Sequence, residues 1–230
     1  MTSTGFDQSR AESYDVRIQK MIPGYDVLHR LTDVFLSAEL PTDASILTVG
    51  AGTGTELTQL GTSHAGWHFT AVEPAPAMAK LGREKFATHP LGNRIHWHGG
   101  PLKTLPPGDP FDAATLILVL HFLPDNGDKE ELLTEIAGRL KPGAPLFLAS
   151  YFGAKETTRT KKFFDLTKAW ALANGVDAKE VAEKLDPERP DMHLVPEDRL
   201  KALLRYAGFI DVQRIYQGLL IGGWVARTPR

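Results

Sequence analysis

Residues 45–56, SILTVGAGTGTE, decide the fold, because they join a short apolar run to a helical pattern through three alternating glycines. Ile46, Leu47 and Val49 read as a buried, partly β-branched strand, and Thr55 opens the helix that follows. Gly50, Gly52 and Gly54 suit the junction for two reasons. Glycine takes a positive φ without a Cβ clash, and it lets a ligand lie directly on the backbone. A plain flexible loop has the same composition, so the downstream sequence has to discriminate. A second apolar run, HFTAV at 68–72, ends in Glu73, about twenty residues beyond the glycines. At the carboxyl end of an adjacent parallel strand, a carboxylate faces the same crevice and can accept both hydroxyls of a ribose.

Outward from this stretch, apolar runs and helical patterns alternate as a doubly wound, mostly parallel sheet requires. A helix is expected over 76–86 with Pro76 in its first turn, then a strand at 94–98. The stretch 111–119 is almost wholly apolar, as befits a central strand buried on both faces. A helix over 129–140 stops at Pro142 and Gly143, and a strand follows at 145–150. A helix over 197–207 ends at Gly208, and two last strands, 210–216 and 219–225, form an antiparallel hairpin turning at Gln217 and Gly218. Seven strands in all are expected, the final one reversed.

Two segments lie outside this alternation. Residues 1–40 carry two helical patterns separated by Pro23 and Gly24 and read as an N-terminal helical flap, from which Tyr14, Arg17 and Tyr25 reach toward the crevice. Residues 153–195, rich in Lys, Asp and Glu with Phe163, Phe164, Leu166, Trp170 and Leu172 at helical spacing, read as a helical cap. With 230 residues, 42% of them hydrophobic, the whole chain 1–230 is expected to be one domain. A formal charge of −2 gives no global attraction to nucleic acid. The absence of cysteine excludes disulfides, thiolate metal sites and thiol nucleophiles. There is no apolar leader and no run long enough to span a bilayer, so a cytoplasmic protein is expected, with homodimer formation left open.

GAGTG at 50–54, AVEPAPAMAK at 71–80, FDAATLILVLHFLPD at 111–125 and LKPGAPLFLAS at 140–150 together resemble the successive motifs of class I S-adenosylmethionine-dependent methyltransferases. The resemblance covers roughly 45–226 and implies a Rossmann-like methyltransferase fold with S-adenosylmethionine as cofactor. It implies that Gly50, Ala51, Gly52, Thr53 and Gly54 pass under the amino-acid part of the cofactor and that Glu73, followed by Pro74, holds the ribose. Met78 and Leu102, beside Pro101, would flank the adenine, with Val119 also binding the cofactor and Tyr25 of IPGY over it. The flap and cap would together enclose a small-molecule methyl acceptor. The sequence departs from the family at Thr48, where an acid is usual, and at Pro101, where an acid often meets the adenine amine; a backbone carbonyl near Leu102 is the expected substitute.

Methyl transfer from a sulfonium is an in-line displacement, so the protein mainly orients, desolvates and at times removes a proton. His121, just past the central strand, is the candidate base, with Tyr151 and then His193 behind it. No metal site is expected: His96 and His98 share a strand face without a third ligand, and Asp125 with Asn126 only loosely resembles a magnesium-binding pair. Three rival readings stand. IPGY together with LLIGGW is similar to carboxy-S-adenosylmethionine synthases, yet the positions where those carry an arginine and an asparagine hold Leu203 and Ile117 here, and Arg205 turns to another side of its helix. The others are an RNA-modifying enzyme, such as one acting on tRNA, and a non-catalytic cofactor-binding protein.

Overall fold

The structure, a computed structural model, describes residues 14–230; the first thirteen residues of the expected flap, and the side chain of Tyr14, lie outside it. Among the described residues eight α-helices and seven strands follow in order: α1 (Tyr14–Met21), α2 (Tyr25–Glu39), β1 (Ser45–Val49), α3 (Thr55–Ser63), β2 (His68–Val72), α4 (Pro76–Ala87), β3 (Ile95–His98) and β4 (Ala113–Ile117). Then come α5 (Asp128–Gly138), β5 (Pro145–Tyr151), α6 (Thr158–Ala173), α7 (Ala178–Lys184), α8 (Glu197–Tyr206), β6 (Ile210–Gly218) and β7 (Ile221–Arg227). The strands form one sheet in the order β3-β2-β1-β4-β5-β7-β6. The first five run parallel, and β7 is antiparallel to both its neighbours. This is the doubly wound, Rossmann-like arrangement with a reversed final strand.

Alternation along the strands divides the core between the two faces of the sheet. Leu47, Ala114, Leu116, Leu146 and Leu148 face Leu133 and Ile136 of α5 and Leu200, Leu203 and Leu204 of α8. On the other face Ile46, Phe69 and Ala71 meet Leu36 of α2, Leu57 and Leu60 of α3 and Phe86 of α4. Further along that second face, Phe147, Ala149, Ile221 and Val225 pack against Met21, Ile22, Tyr25 and Leu28 from the N-terminal helices and Phe164, Ala171 and Val181 from the cap. The segments read as flap and cap therefore form a single apolar layer, although more than a hundred residues separate them in sequence.

Two boundaries differ from the sequence reading. The central strand is confined to Ala113–Ile117, because Phe111 makes only an isolated bridge to Leu140 and Leu118 turns out of the strand with φ +60°. The hairpin turns at Leu219 and Leu220, between the paired Gly218 and Ile221, not at Gln217 and Gly218. Leu219 takes the positive φ of +54° and Leu220 is buried in the layer just described. Gly218 is glycine for a packing reason instead. A Cβ there would lie 2.6 Å from the Pro23 carbonyl and 2.4 Å from the Tyr216 hydroxyl.

Candidate functional site

The strand order reverses between β1 and β4, which places a crevice at their carboxyl ends, and the glycine loop lies there. Gly50, Gly52 and Gly54 have φ of +74°, +56° and +83°. The Gly50 and Ala51 amides donate to the Val72 carbonyl at 2.8 and 3.1 Å, and the Gly54 amide to Ala51 at 2.8 Å. The three glycines differ in what surrounds them. A Cβ on Gly50 would lie 2.2 Å from Cγ2 of Val119, and one on Gly54 2.5 Å from Cε2 of Phe86. At Gly52 the nearest atom is Cε of Met78 at 3.5 Å. The outer glycines are thus packed by the protein itself, and the middle one leaves room for a ligand.

Glu73 stands beside that room. Its Oε2 accepts the Gly52 amide at 2.7 Å and its Oε1 the Ala75 amide at 2.8 Å. Burial raises its pKa, an effect opposed by the Ala75 and Gly52 amides. A carboxylate has about four acceptor positions, so two remain for a ligand. Met78 and Leu102 are buried, whereas Pro74 and Pro101 are exposed. Two carbonyls at the place expected to substitute for an adenine-binding acid are already engaged within the protein. The Leu102 carbonyl already accepts the Leu105 amide at 2.9 Å and the Arg139 guanidinium at 3.3 Å, and the Pro101 carbonyl accepts the Thr104 amide and hydroxyl.

Behind the loop lies a carboxyl group that sequence reasoning passed over. Glu56, in the first turn of α3, is buried against β1 and β4, where Oγ1 of Thr115 donates to its Oε1 at 2.6 Å and lies 3.3 Å from Oγ1 of Thr48. Desolvation pushes its pKa up to about 7 against the hydrogen bonds from Thr115 and Thr48. In the sequence it looks like an ordinary acid at a helix start, and only the twist of α3 onto the sheet turns it inward.

Beyond β4 the backbone strain at Leu118, φ +60°, redirects the chain into a short 3₁₀ turn, Leu120–Phe122. His121 in that turn is buried, its Nδ1 3.3 Å from Oγ of Ser150 and its ring edge-on to Tyr151 at 4.9 Å. The structure therefore brings together His121 and Tyr151. Burial first, then the charges of Lys129 and Arg189, lower the His121 pKa to about 3, with Asp191 opposing. The imidazole is neutral at working pH, and its acid form is so disfavoured that it is a weak proton acceptor. His193 contributes its amide, which donates to the His121 carbonyl at 2.8 Å. Lys129, almost wholly buried, donates to the Leu120 carbonyl at 2.6 Å and the His193 carbonyl at 3.0 Å, clamping this turn to the end of the cap. Tyr25 lies in the same apolar layer as Tyr151 and Leu118, its ring edge-on to His29 at 4.5 Å.

The loosely magnesium-like pair is otherwise engaged: Asp125 receives Arg199 at 2.8 and 3.0 Å, and Asn126 accepts the Asp128 amide at 3.2 Å. Among the described residues no three His, Asp or Glu groups converge as a metal would require. A second omission from the sequence reading is Asp15 on α1. Its Oδ1 accepts the hydroxyls of Thr53 and Thr55, the latter at 2.9 Å, and its Oδ2 lies 3.3 Å from Nζ of Lys85. Arg17, two residues on, pairs with Glu180 of α7 at 3.0 Å.

Residues 47–146, which contain the glycine loop, Glu73, β4 and the His121 turn, match a family model described as a methyltransferase domain. That stretch, somewhat under half of the chain, is similar to a methyltransferase domain. A curated relative, the carboxy-S-adenosyl-L-methionine synthase of Klebsiella pneumoniae (strain 342), is 23% identical over 226 residues, 96% of this chain and 90% of the relative. Among solved structures, the Burkholderia thailandensis 1,6-didemethyltoxoflavin-N1-methyltransferase, with bound 1,6-didemethyltoxoflavin and S-adenosylhomocysteine, is similar with a TM-score of 0.61 at 21% identity; the match covers 96% of this chain and 84% of that one. Human N-acetylserotonin methyltransferase in complex with SAM is similar with a TM-score of 0.61 at 16% identity, over all of this chain and 61% of that one. Within the matched stretch Ile117 is buried in the apolar layer, and outside it Leu203 lies wholly inside the leucine core between α8 and the sheet. Neither position presents a polar group to the crevice.

Proposed function

We propose that the protein transfers a methyl group from S-adenosylmethionine to a small-molecule acceptor held between the crevice and the layer of N-terminal and cap helices. The observation that carries this reading is the open cradle at Gly52 beside the spare acceptor positions of Glu73, which fits a ligand pairing a backbone-hugging chain with a ribose diol. When bound, the cofactor supplies an electrophilic methyl group on a sulfonium. The chain's own residues do the rest. Gly50–Gly54 bear the amino-acid end, Glu73 accepts the ribose hydroxyls, and Met78 and Leu102 offer apolar surface to the base. The turn carrying His121 and the ring of Tyr151 close the reacting end in apolar surroundings that exclude water. His121 acts there as a neutral hydrogen-bonding group and not as a base. Such a site favours acceptors that lose their own proton readily or need lose none before attack.

The synthase reading has one observation in its favour, similarity along 96% of the chain. Against it, a synthase has to hold an extra carboxylate, and burying that charge without a cation is costly. Leu203 and Ile117 supply none. The deciding experiment is mass spectrometry of the small molecule released from the purified protein, together with calorimetry of S-adenosylhomocysteine. S-adenosylmethionine or S-adenosylhomocysteine is the expected ligand. The carboxylated cofactor as main component would replace this reading with the synthase, and binding without methyl transfer to a broad acceptor panel would favour a non-catalytic role. Tight, salt-sensitive RNA association would point to RNA modification.

A further inference from the structure

We infer that Asp15 is a positioning residue which sets the glycine loop in its ligand-bearing conformation and couples ligand release to undocking of α1. The inference rests on the cofactor reading above. Thr53 and Thr55 flank Gly54, the single residue that links the loop to α3 and holds φ +83°. One carboxylate oxygen of Asp15 takes the hydroxyls of both threonines, so the docked helix fixes the chain on either side of that joint. Its second oxygen meets Lys85 on α4, the helix that also brings Phe86 against Gly54. A ligand lying on Gly52 needs the loop in this shape, and by linkage whatever stabilises the shape tightens the ligand.

The attachment of α1 is also suited to opening. Its eight residues reach the loop by polar contacts, with Asp15 31% and Lys85 37% exposed at the side chain, and Val16 points into solvent. Partly exposed ion pairs of this kind are individually weak. The far end is firm: Met21 and Ile22 are buried, the Tyr216 hydroxyl donates to the Pro23 carbonyl, and Gly24 turns with φ +69°. Helix α1 thus has a fixed end at Pro23–Gly24, contacts to the cap through Ile18 and the Arg17–Glu180 pair, and a breakable contact to the loop at Asp15.

The test is stopped-flow release of S-adenosylhomocysteine from the wild type, Asp15→Asn, Thr55→Val and the double variant, with thermal melting of each and hydrogen exchange of the 53–56 amides without ligand. Asp15→Asn should speed release about tenfold, since it removes a charge-assisted hydrogen-bond network while the melting temperature moves by no more than about 2 °C. Thr55→Val should speed release by about threefold, and the double variant should be no faster than Asp15→Asn, because both act through one contact. Exchange at 53–56 should quicken in Asp15→Asn even without ligand. Unchanged release in Asp15→Asn, whatever its melting temperature, or additive effects in the double variant, would overturn the inference and leave the cofactor reading intact. A wild type that binds no S-adenosylhomocysteine would remove both.

Discussion

Around the glycine loop, order comes from the backbone: amides bonded to the Val72 carbonyl, three positive φ angles, and a carboxylate that accepts two main-chain N–H groups. In the layer formed by α1, α2, α6 and α7, order comes from apolar side chains drawn from opposite ends of the chain, with Tyr25, Phe164, Val181 and Leu220 in one cluster. The first region spends few side chains on stability and keeps one glycine uncovered for a ligand. The second is an ordinary hydrophobic core that happens to roof a site. Substitutions in the layer should accordingly cost stability first, and substitutions in the loop should cost binding first.

The sharpest way to break this contrast is Phe164→Ala, which empties a wholly buried position of the layer. A loss of about 3–5 kcal/mol in chemical denaturation is expected; a loss under about 1 kcal/mol would make the cap a loose appendage. Gly52→Val comes next. A Cβ there meets only Met78, at 3.5 Å, so the fold should survive the strained φ while calorimetry loses at least about a hundredfold in S-adenosylhomocysteine affinity, near 3 kcal/mol. Glu73→Ala should weaken the same ligand by about tenfold to a hundredfold, and unchanged affinity would remove the ribose assignment.

Glu56 sharpens the comparison through pH. Its carboxyl titrates near 7 in the folded chain and near 4.5 when unfolded, so the folded state binds the proton more tightly. Stability contributed by the protonated form is present below about pH 4.5 and is lost as pH rises through 7. Glu56→Gln should therefore flatten the decline in unfolding free energy between pH 5 and 8, a change of about 2 kcal/mol. An unaltered pH profile would place the titration elsewhere. The smallest effect belongs to Lys80→Ala, which removes an exposed helix pair with Glu84 at 3.8 Å; the melting temperature should move by less than about 1 °C.

The same division explains what could be read in the sequence. Strand periodicity, the alternating glycines and the spacing to Glu73 are local signals, and they placed the strands along the chain, the crevice and the loop. Asp15 and Glu56 were missed because their meaning depends on a partner 38 and 59 residues away, Thr53 and Thr115, and a carboxylate at a helix start has the same local appearance whether it faces water or the core. The hairpin turn was misplaced because Gly218 is required by the close approach of Pro23, which no local pattern encodes. His121 was correctly put at the end of the central strand, but its proton affinity is decided by burial and by Lys129, neither of which spacing reveals.

The hydrogen bond from Tyr216 to Pro23 ties one of the earliest helical segments to one of the last strands. During synthesis the ribosome delivers Met21, Ile22, Tyr25 and Leu28 long before Ile221 and Val225, the β7 residues that share their cluster. Until that strand has threaded in beside β5, the N-terminal helices have only part of their docking surface, and their apolar face is open to chaperones and to neighbouring chains. The roof over the site is therefore assembled after the floor, and a nascent chain has its glycine loop before it has anything to close over it.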